Sequence, residues 1–189
     1  LDWPLLERIA ETNRPVVAST AGVQLEDVDR LVSFFQHRGV PFAIMHCVAL
    51  YPTPKEKLNL GRIELFHRRY PGVTVGFSTH EDPNDTTAVR VAYAKGARIF
   101  EKHVALPSER YSVNSYSATP AQISDWVGAW KETVSMLKGN SADTAGPEES
   151  RSLRDRMRGV FVKRAVKKGA KLSRSDIYFA MPAGESQLV

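Results

Sequence analysis

The chain has 189 residues, about the length of one domain, and its 26 basic and 21 acidic residues give a net charge of +5. Hydrophobic residues make up 42% of the sequence, which is enough for a packed core and excludes an intrinsically disordered chain. The long uncharged run from Val40 to Pro54 is shorter than the ~20 apolar residues of a membrane span, and no secretory leader is recognisable. The single cysteine, Cys47, cannot form an internal disulfide, so we expect a cytoplasmic protein with no membrane partner.

Residues 1–139 alternate between strand patterns and helix patterns. Short β-branched or apolar runs predict strands at 14–19, 41–47, 73–77 and 97–100. Amphipathic or helix-forming segments predict helices at 5–11, 25–37, 54–70, 86–95 and 120–137. Four strand–helix units in succession predict an α/β fold with a parallel sheet and helical crossovers.

Two architectures fit this alternation, an open doubly wound sheet and a TIM (β/α)8 barrel. The sequence contains no Gly-rich dinucleotide loop, which favours the barrel. An eightfold barrel takes ~250 residues, and four units are half of one. Because the chain begins with Leu1 rather than Met, we expect an internal piece of a longer protein that holds the last four βα units of a partial barrel.

The remaining residues differ in composition. Residues 140–152 are rich in small and polar residues with Pro and Gly, so they are predicted to be a linker between the half-barrel of residues 1–139 and a second domain. Residues 153–189 show a strand, a Lys-Lys-Gly turn, a short helix cap and another strand, which predicts the start of a small, truncated β-rich domain. The segment from Arg151 to Arg174 has ten basic residues and one acidic residue. Nucleic-acid binding is one explanation of such charge, but a solvated face or a lip over an anionic ligand is favoured, and no nucleic-acid partner is expected.

Polar and ionisable side chains follow each predicted strand. Ligands of parallel α/β sheets bind at the carboxyl ends of the strands, which places the candidate site there. The residues concerned are Ser19, His46, Cys47, Ser78, His80, Glu101 and His103. His46 is predicted to be a satisfied, inward-facing histidine, and Cys47 to be an unreactive thiol in an apolar strand.

His80 and His103 end two neighbouring strands. Adjacent strands lie about 4.8 Å apart, so the two imidazoles are either ligands of one transition-metal ion or a pair of hydrogen-bonded histidines. Alternation along the last strand places Glu101 on the side of His103 and turns Lys102 toward the helices. Ser78 lacks any motif for nucleophilic activation, as does Ser19, so both are predicted to donate hydroxyl hydrogen bonds to an anion.

These segments together resemble the sialic acid synthase family, which includes N-acetylneuraminate, legionaminate and pseudaminate synthases and the spore-coat polysaccharide proteins. The similarity lies in residues 46–54 (HCVALYPTP), 76–80 (GFSTH) and 96–103 (GARIFEKH). Residues 14–20 are similar to the preceding strand of the family, and residues 162–182 to the start of its antifreeze-like (SAF) domain. The match covers nearly the whole chain in order.

The resemblance implies a phosphoenolpyruvate-condensing TIM barrel that is metal dependent. In the family, the histidines matching His80 and His103 hold a divalent ion, Mn²⁺ in the first place and Mg²⁺ or Co²⁺ as alternatives. Catalysis is assigned to these two histidines and to Glu101, which either orients a ligand or is a paired carboxylate of the barrel. The ion polarises the aldehyde of an N-acetylhexosamine, carbon 3 of phosphoenolpyruvate attacks it, and phosphate is released to give a nonulosonic acid. The SAF domain of one subunit caps the barrel of its partner in a domain-swapped homodimer.

The resemblance also implies the substrate contacts, and this sequence departs from some of them. Ser19 and Ser78 match phosphoenolpyruvate-binding positions, and Tyr51 matches a position at the sugar. The usual Ser-Asp-His motif of the family carries Thr79 in place of its Asp, the Gly-Pro-Asp stretch offers only Asn114, and Met181 replaces an Arg of the SAF domain. We therefore expect a sugar acceptor other than N-acetylmannosamine. The alternative is a non-catalytic, degenerate member that acts as a binding or assembly module.

Overall fold

The computed structural model describes residues 1–138 and 145–183, and the chain divides into two units, Leu1–Lys138 and Gly139–Val189. The elements of the first unit are, in chain order, α1 (Trp3–Ala10), β1 (Val16–Ser19), α2 (Leu25–Arg38), β2 (Phe42–His46), a 3-10 helix (Lys55–Lys57), α3 (Gly61–Arg69), β3 (Thr74–Thr79), α4 (Thr87–Ala94), β4 (Ile99–Lys102) and α5 (Pro120–Met136). The predicted alternation of strands and helices is therefore present.

The strands β1 to β4 form one parallel sheet in the order β1-β2-β3-β4, and their residues alternate between its two faces. One face carries Ile44, Val75 and Phe77, which are buried against apolar residues of α2, α3 and α4. The helices α1 and α5 pack on the same face, α5 through Phe100. On the opposite face, Val17 is 56% exposed. Helices on one face and strands in consecutive order are the winding of a (β/α) barrel, whereas a doubly wound sheet carries helices on both faces. The prediction of an α/β fold with a half-barrel sheet is confirmed in this sense.

Local sequence signals set the ends of the longer helices. At the start of α5, the Thr119 side chain accepts a hydrogen bond from the Gln122 N–H, and the Gln122 side chain accepts one from the Thr119 N–H. At the end of α2, Gly39 takes a φ of 65°, a left-handed conformation that glycine adopts without a steric penalty. Within the described ranges, none of the helices combines the length and apolar character needed to cross a membrane.

The helix predicted over residues 54–70 is wrong in its first half. That half contains a single 3-10 turn, and α3 begins only at Gly61. Asn59 has a φ of 47°, and a left-handed residue interrupts a right-handed helix. The helix was predicted because apolar residues lie on both sides of Asn59, and their pattern gives no sign of its left-handed conformation.

The second unit contains α6 (Pro147–Arg154), β5 (Gly159–Val162), a 3-10 helix (Arg174–Asp176) and β6 (Ile177–Ala180). The strands β5 and β6 pair antiparallel, with Val160 opposite Phe179. Before β6, Ser173 and Asp176 form a reciprocal cap, which agrees with the predicted strand, turn, cap and strand. Residues 147–152 of the predicted linker are helical. Residues 140–144 of that linker and residues 184–189 of the second domain lie outside the described residues.

Candidate functional site

The structure brings His80 and His103 together at the carboxyl end of the sheet. The last register pair of β3 and β4 is Thr79 with Lys102, so the two histidines follow at equivalent positions. Their ring centroids lie 5.0 Å apart. His80 is buried, whereas His103 is exposed. The parallel register thus produces the juxtaposition that the sequence predicts.

The backbone fixes the orientation of the His80 ring. Its Nδ1 lies 3.2 Å from the carbonyl oxygen of Val48 and donates a hydrogen bond to it, which leaves Nε2 with a free lone pair in the neutral ring. Burial lowers the pKa of His80, the nearby His103 acts in the same direction, and the bond to Val48 partly opposes them. The neutral ring is therefore favoured, and it is the form that binds metals.

Two loops bring tyrosines against the histidines, and each loop is anchored to the backbone of one histidine. The Thr53 N–H donates to the His80 carbonyl at 2.9 Å, and the Ala118 N–H donates to the His103 carbonyl at 2.8 Å. Tyr51 precedes Thr53 by two residues, and its ring centroid lies 4.1 Å from that of His80.

Tyr116 occupies the corresponding place in the second loop, two residues before Ala118. Its ring centroid lies 5.2 Å from that of His103 and 5.3 Å from that of Tyr51. Tyr116 was not predicted from the sequence. The only available signal was an aromatic residue in the loop that follows a strand ending in a candidate ligand.

Three other predicted residues lie on the sheet face opposite the helices. Ser78 and Glu101 are register partners on β3 and β4, and they alternate with residues that face the helices. Ser78 is buried and Glu101 is exposed. Ser19 is an exposed residue on β1, at the level of Met45 and two strands away from β3. The structure therefore groups Ser78 and Glu101 beside the histidines and leaves Ser19 farther away on the same face.

Asn114 shapes a loop in this structure. Its Oδ1 accepts hydrogen bonds from the backbone N–H groups of Tyr116 and Ser117, at 3.2 and 2.8 Å. These bonds form a local turn of the kind that asparagine favours, and they set the path of the loop carrying Tyr116. The carboxamide oxygen predicted to contact the sugar is thus already engaged.

His46 was predicted to be a satisfied, inward-facing histidine, but alternation along β2 turns it to the helix side together with Ile44, and its Nδ1 has no hydrogen-bond partner among the described residues. His46 is buried on the helix face, and its Nε2 lies 2.8 Å from the Leu58 carbonyl oxygen. Burial lowers the pKa of His46. Cys47 is also buried, with its Sγ 4.0 Å from Nδ1 of His80.

A buried ion pair lies on the helix face, behind the two histidines. The Nζ of Lys102 lies 3.0 Å from Oε1 of Glu81, and their side chains are 2% and 1% exposed. The hydroxyl of Thr79 donates to the other oxygen of Glu81. Burial raises the pKa of Glu81, and Lys102 opposes this shift. Thr79 therefore points toward this pair and away from the face that carries Ser78 and Glu101.

The residues present fit a divalent ion held by two protein ligands. Among the residues that the structure describes, no group of three or more His, Cys, Asp and Glu side chains converges as a metal site. The two imidazoles nevertheless supply two nitrogen donors, and the Val48 carbonyl orients His80 as second-sphere groups orient metal-binding histidines. Substrate or water oxygens would complete the coordination.

One well-formed cavity lies elsewhere. It has a volume of about 540 Å³, belongs to the second unit, and is lined by residues of α6 and by Met157 and Ala183. It contains none of the residues described above. We place the site at the strand ends because polar and ionisable side chains converge there.

The NeuB family model matches residues 1–142 of this chain. Among curated proteins, SpsE, a spore coat polysaccharide biosynthesis protein of Bacillus subtilis, is 30% identical over 97% of this chain and 53% of its own length. The N-acetylneuraminate-9-phosphate synthase of Drosophila melanogaster is 34% identical over 65% of this chain and 33% of its own length.

Similarity extends to solved structures. A Chromobacterium violaceum crystal structure assigned to spore coat polysaccharide biosynthesis protein E is 49% identical, with a TM-score of 0.84 over 99% of this chain and 56% of that chain. The present chain thus spans about half the length of the relatives that it matches over nearly all of its own residues.

Proposed function

The chain belongs to the NeuB family, and from this premise we propose that it forms part of a synthase that condenses phosphoenolpyruvate with an N-acetylhexosamine-type aldose. The observation that carries the proposal is the pair of imidazoles, 5.0 Å apart at the ends of adjacent strands. The product is a nonulosonic acid, and phosphate is released. Two named relatives support this class: one is an N-acetylneuraminate-9-phosphate synthase, and the other acts in polysaccharide biosynthesis.

In this proposal, His80 and His103 hold the divalent ion, with Mn²⁺ as the first candidate and Mg²⁺ or Co²⁺ as alternatives. When bound, the ion supplies Lewis-acid stabilisation of the negative charge that develops on the aldehyde oxygen. The Val48 carbonyl keeps the His80 proton on Nδ1, so that Nε2 remains available as a donor.

The neighbouring side chains bind and orient the two substrates. Ser78 and, farther away, Ser19 donate hydroxyl hydrogen bonds to the anionic groups of phosphoenolpyruvate. Glu101, on the same face as Ser78, accepts hydrogen bonds from the sugar hydroxyls. Carbon 3 of phosphoenolpyruvate forms a bond to the aldehyde carbon, water adds at carbon 2, and the C–O bond to phosphate breaks.

The acceptor in this proposal differs from N-acetylmannosamine. The resemblance to the family implies an Asp in the stretch where this chain offers Asn114, and the Asn114 oxygen is engaged with two backbone N–H groups. The rings of Tyr51 and Tyr116, 5.3 Å apart, instead offer an aromatic surface beside the histidines. Such a surface suits the C–H groups of a sugar or the methyl of an acetamido group.

A phosphate-release assay on the whole protein tests the proposal. Phosphoenolpyruvate and Mn²⁺ are supplied with a panel of N-acetylhexosamines and other aldoses. We expect release that requires both substrates and the metal, with N-acetylmannosamine as a poor acceptor. The His80→Ala variant should lower the rate by about 100- to 1000-fold, the loss typical when a preorganised electrostatic contribution is removed.

Two results would contradict the proposal. Strong preference for plain N-acetylmannosamine would refute the assigned acceptor class. Mn²⁺ binding without phosphate release from any acceptor would favour the non-catalytic binding module instead.

A further inference from the structure

The buried ion pair between Lys102 and Glu81 is formed by sequence neighbours of the two histidines. Lys102 immediately precedes His103, and Glu81 immediately follows His80. The charged groups lie 3.0 Å apart, with both side chains almost fully buried on the helix face.

Stability alone is a poor explanation for such a pair. Removing two charges from water is costly, and apolar side chains of similar volume often replace a buried ion pair without loss of stability. A buried pair that lies directly behind a candidate site therefore calls for a role in the geometry of that site.

The strand pairing explains why the histidines need support. The register of β3 and β4 ends at Thr79 opposite Lys102, so His80 and His103 are the first residues beyond the paired segment. The ion pair crosses from the residue after His80 to the residue before His103. Because the Thr79 hydroxyl holds the second oxygen of Glu81, the carboxylate is fixed from both strands.

We propose that Glu81 and Lys102 are positioning residues that hold the His80 and His103 rings at their metal-binding separation. The proposal rests on the proposed function of these histidines as a ligand pair. Neither charged group contacts substrate, because both lie on the sheet face that packs against the helices. Their effect passes through the short backbone segments that carry the rings.

The same geometry accounts for Thr79 as a departure from Ser-Asp-His. Thr79 and Lys102 are register partners with side chains on one face of two strands that lie about 4.8 Å apart. A carboxylate at position 79 would therefore reach the same ammonium group. In this chain, Glu81 supplies that carboxylate from two residues downstream.

Two double variants of the whole protein test the inference. Glu81→Leu with Lys102→Met removes both charges together and so leaves no unpaired buried charge. Thr79→Asp with Glu81→Thr moves the carboxylate back within reach of Lys102. The matched control, Asp29→Leu with Arg69→Met, removes an ion pair between α2 and α3 that contacts none of the site residues named here.

The readouts are thermal unfolding, Mn²⁺ affinity by electron paramagnetic resonance, and the His80–His103 separation in crystal structures. We expect the apolar double variant to fold and to bind Mn²⁺ about 10-fold more weakly, the lower end of the effect of second-sphere changes. The relocated carboxylate should restore both the affinity and the 5.0 Å separation. The control should retain both.

The outcomes separate this inference from the proposed function. An apolar double variant with altered unfolding but unchanged affinity and ring separation would give the pair a purely structural role and overturn the inference. A wild-type protein that fails to bind Mn²⁺ would overturn the metal in the proposed function. In that case, the ring separation alone decides: it widens if the pair positions the rings and stays the same if the inference is wrong.

Discussion

The two faces of the four-stranded sheet differ near the carboxyl ends of the strands, although the same short strands supply both. On the helix face, Phe77 is 1% exposed in the main apolar cluster. Its neighbour Ser78 lies on the other face, level with Glu101. Since side chains alternate along a strand, each strand contributes to the core and to the candidate site in successive residues.

This alternation separates the residues that stabilise the fold from the residues of the candidate site. Burial of apolar area on the helix face stabilises the fold. Because this core is closely packed, removing side-chain volume from it lowers the free energy of unfolding. Near the strand ends, the other face holds Ser78 and Glu101, polar residues that contribute little to stability and that we propose bind the substrates. Polar groups also occur on the core side: His46 is buried there, and the ion pair of Lys102 and Glu81 places charges directly behind the site.

Substitutions of the adjacent residues Phe77 and Ser78 test the difference between the two faces most directly. Phe77→Ala should lower the free energy of unfolding by about 3–5 kcal/mol, because it leaves a cavity among fully buried side chains. Ser78→Ala should leave stability nearly unchanged and raise the KM for phosphoenolpyruvate by about 10-fold or more, the loss of one hydrogen bond to a charged group. Urea unfolding and steady-state kinetics measure the two effects. Equal losses of stability in both variants would contradict the division between the faces.

The sequence predicted the sheet well because its signals are local and periodic. Short β-branched or apolar runs locate β1 to β4, and parallel pairing of neighbouring units then places His80 beside His103. The helix over residues 54–70 was wrong because the left-handed Asn59 leaves the apolar periodicity intact. The pattern of apolar residues predicts the order and parallel pairing of the strands, whereas it does not predict the backbone conformation of a single residue such as Asn59.

The unpredicted parts of the site depend on backbone bonds outside the strands. The position of Tyr116 follows from the bond between Ala118 and the His103 carbonyl, which requires no particular side chain. The direction of Lys102 was predicted by alternation and is confirmed. Its partner Glu81 was not predicted, because Glu81 lies past the end of β3, where alternation no longer applies.

Substitutions of Tyr116 test the proposed role of the sheet face opposite the helices, with a smaller expected effect. Tyr116→Ala should raise the KM for the sugar by about 2- to 10-fold, since an aromatic contact contributes about 0.5–1.5 kcal/mol. Tyr116→Phe keeps the ring and should remain close to wild type, which separates stacking from hydrogen bonding by the hydroxyl. The KM for phosphoenolpyruvate serves as the internal control. An equal rise in both KM values would mean that the whole loop has moved and that Tyr116 has no selective role at the sugar.

The smallest effect concerns a polar group on the core side, His46. Burial lowers the pKa of His46 below the ordinary value of 6.5, so near pH 6 the unfolded chain takes up a proton that the folded chain resists. The free energy of unfolding should therefore be unaffected by His46 above pH 6.5 and should fall as the pH drops below that value, until the folded-state pKa is reached. His46→Gln keeps a donor for the Leu58 carbonyl, 2.8 Å from the ring nitrogen, but does not titrate in this range. Urea unfolding of both proteins between neutral pH and pH 5 should show a shallower loss of stability in the variant. Identical slopes would mean that His46 carries its proton inside the core, and the helix face would then tolerate a buried charge without a counter-ion.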